Sequence, residues 1–140
     1  MIDIENKVFD TVRTAVKAVD ASVSCYGEYV AQVASFPCVV LTEQSNTTVN
    51  KTRDSNGIEH HVEVVYVCNV YTNDVNGKKA SCKALADAVD NAMNGLHFMR
   101  TFREQTPNLD RTIYRITMRY RAIVGEGKTD GDNTVYQIYQ

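Results

Sequence analysis

The sequence lacks the features that assign a chain to a membrane, to secretion or to a familiar catalytic class. No apolar run approaches the roughly 20 residues needed to span a bilayer. The N-terminus carries Asp3 and Glu5 and has no apolar signal-peptide core. We therefore expect the chain to stay where it is made, unless it leaves within a larger particle. No G-x-S-x-G motif, phosphate-binding loop or other nucleophile signature occurs, so we predict a protein that is not an enzyme and holds no cofactor.

Cysteine and histidine are scarce, and their arrangement does not predict a metal site. The four cysteines form no C-x-x-C pair and match no zinc module: Cys25, Cys38, Cys68 and Cys82. We expect four free thiols, with Cys68 and Cys82 packed between sheet and helix. His60 and His61 are neighbours on a predicted strand, where they point to opposite faces and cannot easily chelate one ion.

The charge of the chain is segregated along the sequence. The net charge of −2 and the pI near 5.9 give no global attraction to nucleic acid or to anionic membranes. Six arginines lie between His97 and Gly125 against only Glu104 and Asp110, a local charge of +4. The rest of the chain therefore carries −6, and this segregation indicates a role for partners.

The arginines concentrate on one face of a predicted strand over residues 112–124. Alternate residues from Tyr114 to Val124 are apolar, whereas the opposite set contains Arg115, Arg119 and Arg121. This pattern predicts a half-buried antiparallel strand with a cationic face. We take these three arginines as interface candidates, and the acidic candidates elsewhere in the chain are Glu43, Asp54, Glu59 and Glu63.

Three interpretations of the arginine face remain open. The arginine heads can simply be solvated while their stems cover the strand. The planar guanidinium also suits carboxylates of a partner protein or phosphates of nucleic acid. Tyr114 and Tyr120 lie with the apolar set, which argues against base stacking on this face.

Periodicity predicts two amphipathic helices, at residues 2–19 and 78–94. Gly95 is a natural residue for a left-handed cap after the second helix. Asp87 and Asp90 lie one turn apart in that helix, where a solvated face is the favoured interpretation.

Alternating patterns predict that the sheet contains two long strands, at residues 59–71 and 112–124. The second face of the strand at 59–71 combines apolar and polar residues, which predicts that this strand is central or meets another chain. Shorter strands are expected at 23–26, 36–43 and 135–139. The fold class is therefore α+β: one domain over residues 1–140, with a mainly antiparallel sheet and two helices packed on one face.

Two polar segments stand apart from this core. Residues 44–57, rich in Ser, Thr and Asn, are predicted to form a hairpin arm or loop that becomes ordered against a neighbouring subunit. Residues 125–140 are predicted to be a C-terminal extension with a Gly- and Asp-rich connection.

Several weak motifs together resemble a known family. They are Phe36-Pro37-Cys38-Val39-Val40 before the polar arm, Val70-Tyr71-Thr72-Asn73, Gly77-Lys78-Lys79-Ala80-Ser81-Cys82-Lys83, Thr106-Pro107-Asn108-Leu109-Asp110 before Ile113-Tyr114-Arg115-Ile116, and Arg119-Tyr120-Arg121-Ala122. Over residues 1–125 the chain resembles the tail-terminator, head–tail joining and "minor capsid" proteins of long-tailed phages and prophages of Gram-positive bacteria.

The resemblance implies a structural virion protein at the neck of the particle, assembled in the host cytoplasm. Such proteins form six-fold rings on the head-proximal end of the tail tube, stop tube growth and dock to the head connector. The implied partners are other copies of the chain, the tube protein and the connector or stopper protein, with DNA passing through the ring. A connector or stopper role, a DNA-contacting module and an enzyme of unrecognised type are the alternatives.

Overall fold

The computed structural model describes residues 2–28, 35–49, 61–74, 76–107, 112–130 and 133–139, with side chains described up to Gly125. These residues form two helices and six strands: α1 (Glu5–Val19), β1 (Ser24–Tyr26), β2 (Cys38–Thr48), β3 (His61–Thr72), α2 (Lys78–Gly95), β4 (Met99–Gln105), β5 (Tyr114–Asp130) and β6 (Asn133–Tyr139). The predicted fold class, α+β with both helices on one face of the sheet, is confirmed.

Helix α1 forms because apolar residues recur at helical spacing and bury one stripe. Val8, Val12 and Val16 are buried, and Glu5 lies in the first turn, where the helix dipole favours a negative charge. The carboxylate of Asp3 accepts a hydrogen bond from the Glu5 N–H at 3.0 Å and so satisfies one free donor at the helix start.

Helix α2 is the clearer of the two, but its end differs from the prediction. Gly95 lies inside the helix, and His97 takes the left-handed conformation with φ of 67°. Two backbone hydrogen bonds close the motif, from the Phe98 N–H to the Met93 carbonyl and from the His97 N–H to the Asn94 carbonyl, each at 3.0 Å. This is a Schellman cap, and it is centred two residues later than predicted.

The sheet has the order β1-β2-β3-β5-β4, with β6 also paired to β5. β1 runs parallel to β2 and every other described pairing is antiparallel. β3 therefore lies at the centre of the sheet, as its mixed second face predicted.

The predicted polar arm is in part a strand. β2 continues to Thr48 instead of ending at Glu43, and its last residues pair with β3 beyond a bulge at Glu43. β3 offers backbone partners along this whole length, and pairing with them does not require apolar side chains. The remainder of the arm, residues 50–57, lies outside the described residues.

The C-terminal extension also belongs to the sheet. β5 continues past Gly125 to Asp130, through the segment predicted to be a connection. β6 pairs with residues Ile123 to Asp130 of β5, on the edge opposite β3 and beyond the residues that pair with β4. The strand predicted near residues 135–139 is confirmed.

One hydrophobic cluster fills the space between the helices and the sheet. Cys68 and Cys82 are fully buried in it, as predicted. The Cys82 thiol donates to the Val70 carbonyl at 3.3 Å, and burial raises the pKa of this thiol to about 11. In the part of the chain that the structure describes, neither helix is long and apolar enough to cross a membrane.

Candidate protein interface

The two faces of β5 differ along their whole described length. The five residues facing the helices are buried: Ile116, Met118, Tyr120, Ala122 and Val124. Those facing away are half-buried or exposed: Arg115, Thr117, Arg119, Arg121 and Ile123. No helix among the described residues covers this second side, which we call the open face.

Arg115 is held in place by its neighbours on β3. Its Nε donates to the Asn69 side-chain oxygen at 3.0 Å, and the Thr117 hydroxyl donates to the same oxygen at 2.7 Å. The guanidinium carbon lies 5.3 Å from the centre of the Tyr71 ring, within cation–π range. The Arg115 head is therefore pre-oriented on the open face.

Arg119 has a different environment. Its guanidinium carbon lies 5.6 Å from the centre of the Phe102 ring, which belongs to the neighbouring edge strand β4. No carboxylate of the described residues lies within salt-bridge distance of Arg119. Its charge is exposed and has no ion-pair partner among the residues that the structure describes.

Arg121 is paired within its own chain. It donates to Glu63 at 2.9 Å, and both side chains remain about two-fifths exposed. The hydrogen bond from Arg121 lowers the pKa of the Glu63 carboxyl. Two residues that the sequence suggested as opposite sides of an interface are therefore one intrachain pair.

Glu43, another of the predicted acidic residues, does not share the open face. Glu43 is in register with Tyr66 on the helix side of the sheet and accepts a hydrogen bond from its hydroxyl at 3.1 Å. Asp54 and Glu59 lie outside the described residues. Of the acidic candidates that are described, only Glu63 lies beside the arginines.

The remaining described arginines of the basic region turn to the helix side. Arg100 pairs with Asp90 at 3.1 Å, and Arg103 approaches Asp87 at 3.6 Å. The interpretation of a solvated helix face therefore holds for Asp87, which is 66% exposed. It fails for Asp90, which is 32% exposed and also accepts a hydrogen bond from the Tyr120 hydroxyl. A bulge in β4 between Arg100 and Phe102 divides the strand, so that Arg100 and Arg103 face α2 while Phe102 faces outward.

Sequence reasoning missed the apolar part of the open face. Met99 and Phe102 are 44% and 37% exposed and lie in register with Arg121 and Arg119. Their orientation depends on the bulge, which alternation alone does not predict. Arg115 was assigned to the correct face, but its contact with Tyr71 appears only once the register is known.

One acidic group lies near the start of α1. One carboxylate oxygen from each of Asp3, Glu5 and Glu43 lies within 4.8 Å of the other two. Part of this clustering is explained by the helix start, because the Asp3 carboxylate accepts a hydrogen bond from the Glu5 N–H. Nothing else at these exposed or half-exposed residues points to a bound ion.

A cavity of about 450 Å³ lies beside this acidic group, between α1 and β1. Its lining includes Cys25 and Tyr66. Burial raises the pKa of both groups and keeps them protonated at neutral pH. That is the opposite of the activation a nucleophile requires, so the cavity does not support nucleophilic catalysis.

Comparisons with known proteins fit this geometry. The family model described as "Tail completion protein gp17" matches residues 8–125. A solved structure described as the virion of a native gene transfer agent particle is similar in fold, with a TM-score of 0.57 and 17% identity. The match covers 84% of this chain and 91% of that chain. No curated protein matches this chain.

Proposed function

The chain belongs to the tail completion protein gp17 family, and from this premise we propose that it forms a ring at the head-proximal end of a phage tail tube. A role in completing the tail of a phage-like virion follows from the family. The finer proposal is that the ring stops tube growth and joins the tail to the head connector. Its partners would be further copies of the chain, the tube protein and the connector or stopper protein.

The observation that carries this proposal is the composition of the open face. Arginine and aromatic residues are enriched in the centres of protein interfaces, where lysine and the acids are depleted. Arg115, Arg119, Tyr71 and Phe102 supply this combination on a strand face that no described helix covers. Arg115 is already fixed by Asn69, which reduces the entropy lost on binding.

The spacing of the arginines suits a single contact surface. At about 3.3 Å per residue, Arg115 and Arg119 lie roughly 13 Å apart along β5, and Arg119 and Arg121 roughly 7 Å. One partner surface can span this distance. Charges at such an interface steer association and fix its register more than they add affinity.

A DNA-contacting role is the second candidate, because DNA would pass through such a ring. Arg119 supports it as an exposed cation with no carboxylate partner among the described residues. Arg115 and Arg121 support it less, since each already bonds a side chain of β3. Binding to phosphates would be sequence-independent and would fall steeply with salt.

The proposal is tested by reversing charges in the phage or prophage that encodes the chain. We expect Arg115→Glu/Arg119→Glu to leave the chain folded and to make heads and tails accumulate separately, or to lengthen the tails. Electron microscopy of lysates measures both outcomes. Lys79→Glu/Lys83→Glu on the exposed side of α2 is the matched control, with the same change in charge.

The outcomes separate the candidates. Complete particles that fail at packaging or ejection would indicate contact with DNA instead. Normal infectious virions carrying the double reversal would contradict both candidates and leave a solvated arginine face.

A further inference from the structure

The cavity between α1 and β1 combines apolar walls with an acidic rim. Phe9 and Tyr26 line it together with Glu5 and Glu28, and its volume is about 450 Å³. Tyr26 is 37% exposed there, which makes it one of the few large apolar side chains that the described part of the chain leaves open to solvent. We call this site the acidic cavity.

The carboxylates around the acidic cavity have no cationic partner in the described part of the chain. Asp3 and Glu43 lie beside Glu5, with a carboxylate oxygen of each residue within 4.8 Å of the other two. Burial first, and then the negative charges of Glu43, Asp3 and Glu28, raise the pKa of Glu5. A cation brought to this place would relieve that repulsion.

A second surface has the complementary chemistry. Met99, Phe102 and Arg119 lie together at the β4 end of the open face, and we call them the arginine–aromatic patch. Met99 and Phe102 are among the large apolar side chains left most exposed. Among the described residues, Arg119 has no carboxylate partner comparable to the Glu63 that Arg121 binds.

The two surfaces cannot meet within one chain. β1 and β4 are the opposite ends of the path β1-β2-β3-β5-β4, four strand spacings or about 19 Å apart. The arginine–aromatic patch is also on the open face, whereas Glu43 and α1 are on the helix side. Unlike surfaces at opposite ends can pair only between copies, and repetition of such a contact generates a ring or a filament.

We propose that the arginine–aromatic patch of one copy docks into the acidic cavity of a second copy, with Arg119 meeting the carboxylates and Phe102 packing near Tyr26. This inference rests on the proposed ring and deepens it, because it names the two surfaces that join neighbouring subunits. It assigns the acidic side to Glu5 and Glu28, which the charge pattern of the sequence did not single out.

The test measures self-association of the purified full chain by sedimentation velocity over a series of concentrations. We expect Arg119→Glu to raise the dissociation constant about tenfold or more. Glu5→Lys/Glu28→Lys should have the same effect. An equimolar mixture of the two variants should associate again, because every mixed contact then pairs opposite charges.

Two further variants keep the test specific. Phe102→Ala should weaken association without changing any charge. Lys83→Glu, an exposed cation on α2, should associate like the wild type. Circular dichroism of each variant verifies that the fold is retained.

Several results would overturn the proposal. They are a wild-type chain that stays monomeric at every concentration, reversed variants that associate normally, or a mixture that does not associate. Failure of the proposed function is detected separately, by examining tails and virions. If Arg119→Glu abolishes self-association but tails and virions stay normal, the interface stands and its role in tail completion does not.

Discussion

The two faces of the central strands β3 and β5 are made from the same backbone and have opposite environments. On the helix side, Tyr66 and Tyr120 are each 1% exposed and bond to carboxylates at the rim of the core. On the open face, Arg115 and Arg121 are half-buried and bond to polar side chains of the neighbouring strand. One face is completed by the chain itself, while the other keeps charge and apolar surface available.

This difference indicates which residues are required for folding and which for assembly. A side chain buried by its own chain contributes to the free energy of unfolding. A half-exposed arginine or phenylalanine contributes little until a partner covers it. Paired substitutions on the two faces should therefore affect different measurements.

The largest expected effect comes from two phenylalanines on opposite faces. Phe98 is 1% exposed and packs edge-on against Tyr66, with ring centres 5.5 Å apart. We expect Phe98→Ala to lower the free energy of unfolding by about 3–5 kcal/mol. Phe102→Ala, at a side chain 37% exposed, should cost about 1 kcal/mol or less.

Urea denaturation of the two variants measures this contrast directly. The account of the two faces would be contradicted if Phe102→Ala were as destabilising as Phe98→Ala. A Phe102→Ala variant of normal stability that no longer supports tail completion would strengthen it.

A smaller effect is expected where α2 meets the sheet. The Tyr120 hydroxyl donates to Asp90 at 2.9 Å, and Asp90 also pairs with Arg100. Asp90→Ala removes the carboxylate partner of a buried phenol and should cost about 1–3 kcal/mol. Asp87→Ala breaks only an exposed contact of 3.6 Å to Arg103 and should cost about 1 kcal/mol or less. If thermal or urea unfolding showed equal losses of stability for the two variants, the hydrogen bond between Tyr120 and Asp90 would not be the cause of the loss.

The smallest effect concerns the ion pair on the open face. Glu63→Gln removes the carboxylate that Arg121 binds, at a site about two-fifths exposed, and should cost about 0.2–1 kcal/mol at pH 7. Because Arg121 lowers the pKa of Glu63 in the folded chain, this stabilisation is present above the unfolded pKa of glutamate and is lost as the pH falls through the folded value.

Urea midpoints of wild type and Glu63→Gln should therefore converge in acid. Glu104→Gln, at an exposed glutamate on β4, is the control that should show no such convergence. If the urea midpoint of Glu63→Gln still differed from that of the wild type at low pH, the ion pair would be ruled out as the cause of the difference.

Much of the fold could be predicted from the sequence because a helix or strand that buries one side carries apolar residues at a regular spacing. The stripe of α2 and the alternation of β3 and β5 follow from one side of each element facing the core. The extension of β2 to Thr48 and of β5 to Asp130 could not be predicted. Those residues are held by backbone pairing with a neighbouring strand, which leaves no apolar pattern.

The candidate site was predicted less completely, and the reason is register. Alternation placed Arg115, Arg119 and Arg121 on one face correctly. It could not indicate that Glu63 lies within reach of Arg121, or that a bulge turns Phe102 toward Arg119. Contacts between strands depend on pairing, and a single strand's sequence does not contain that information.

Side-chain footprinting of the free chain and of assembled particles tests the central claim most directly. Hydroxyl radicals oxidise exposed methionine and phenylalanine, and mass spectrometry locates the product. Met99 and Phe102 should react in the free chain and become protected in particles, while buried Met118 and Phe98 stay unreactive in both. Equal oxidation of Met99 and Phe102 in both states would contradict the claim that partners cover the open face.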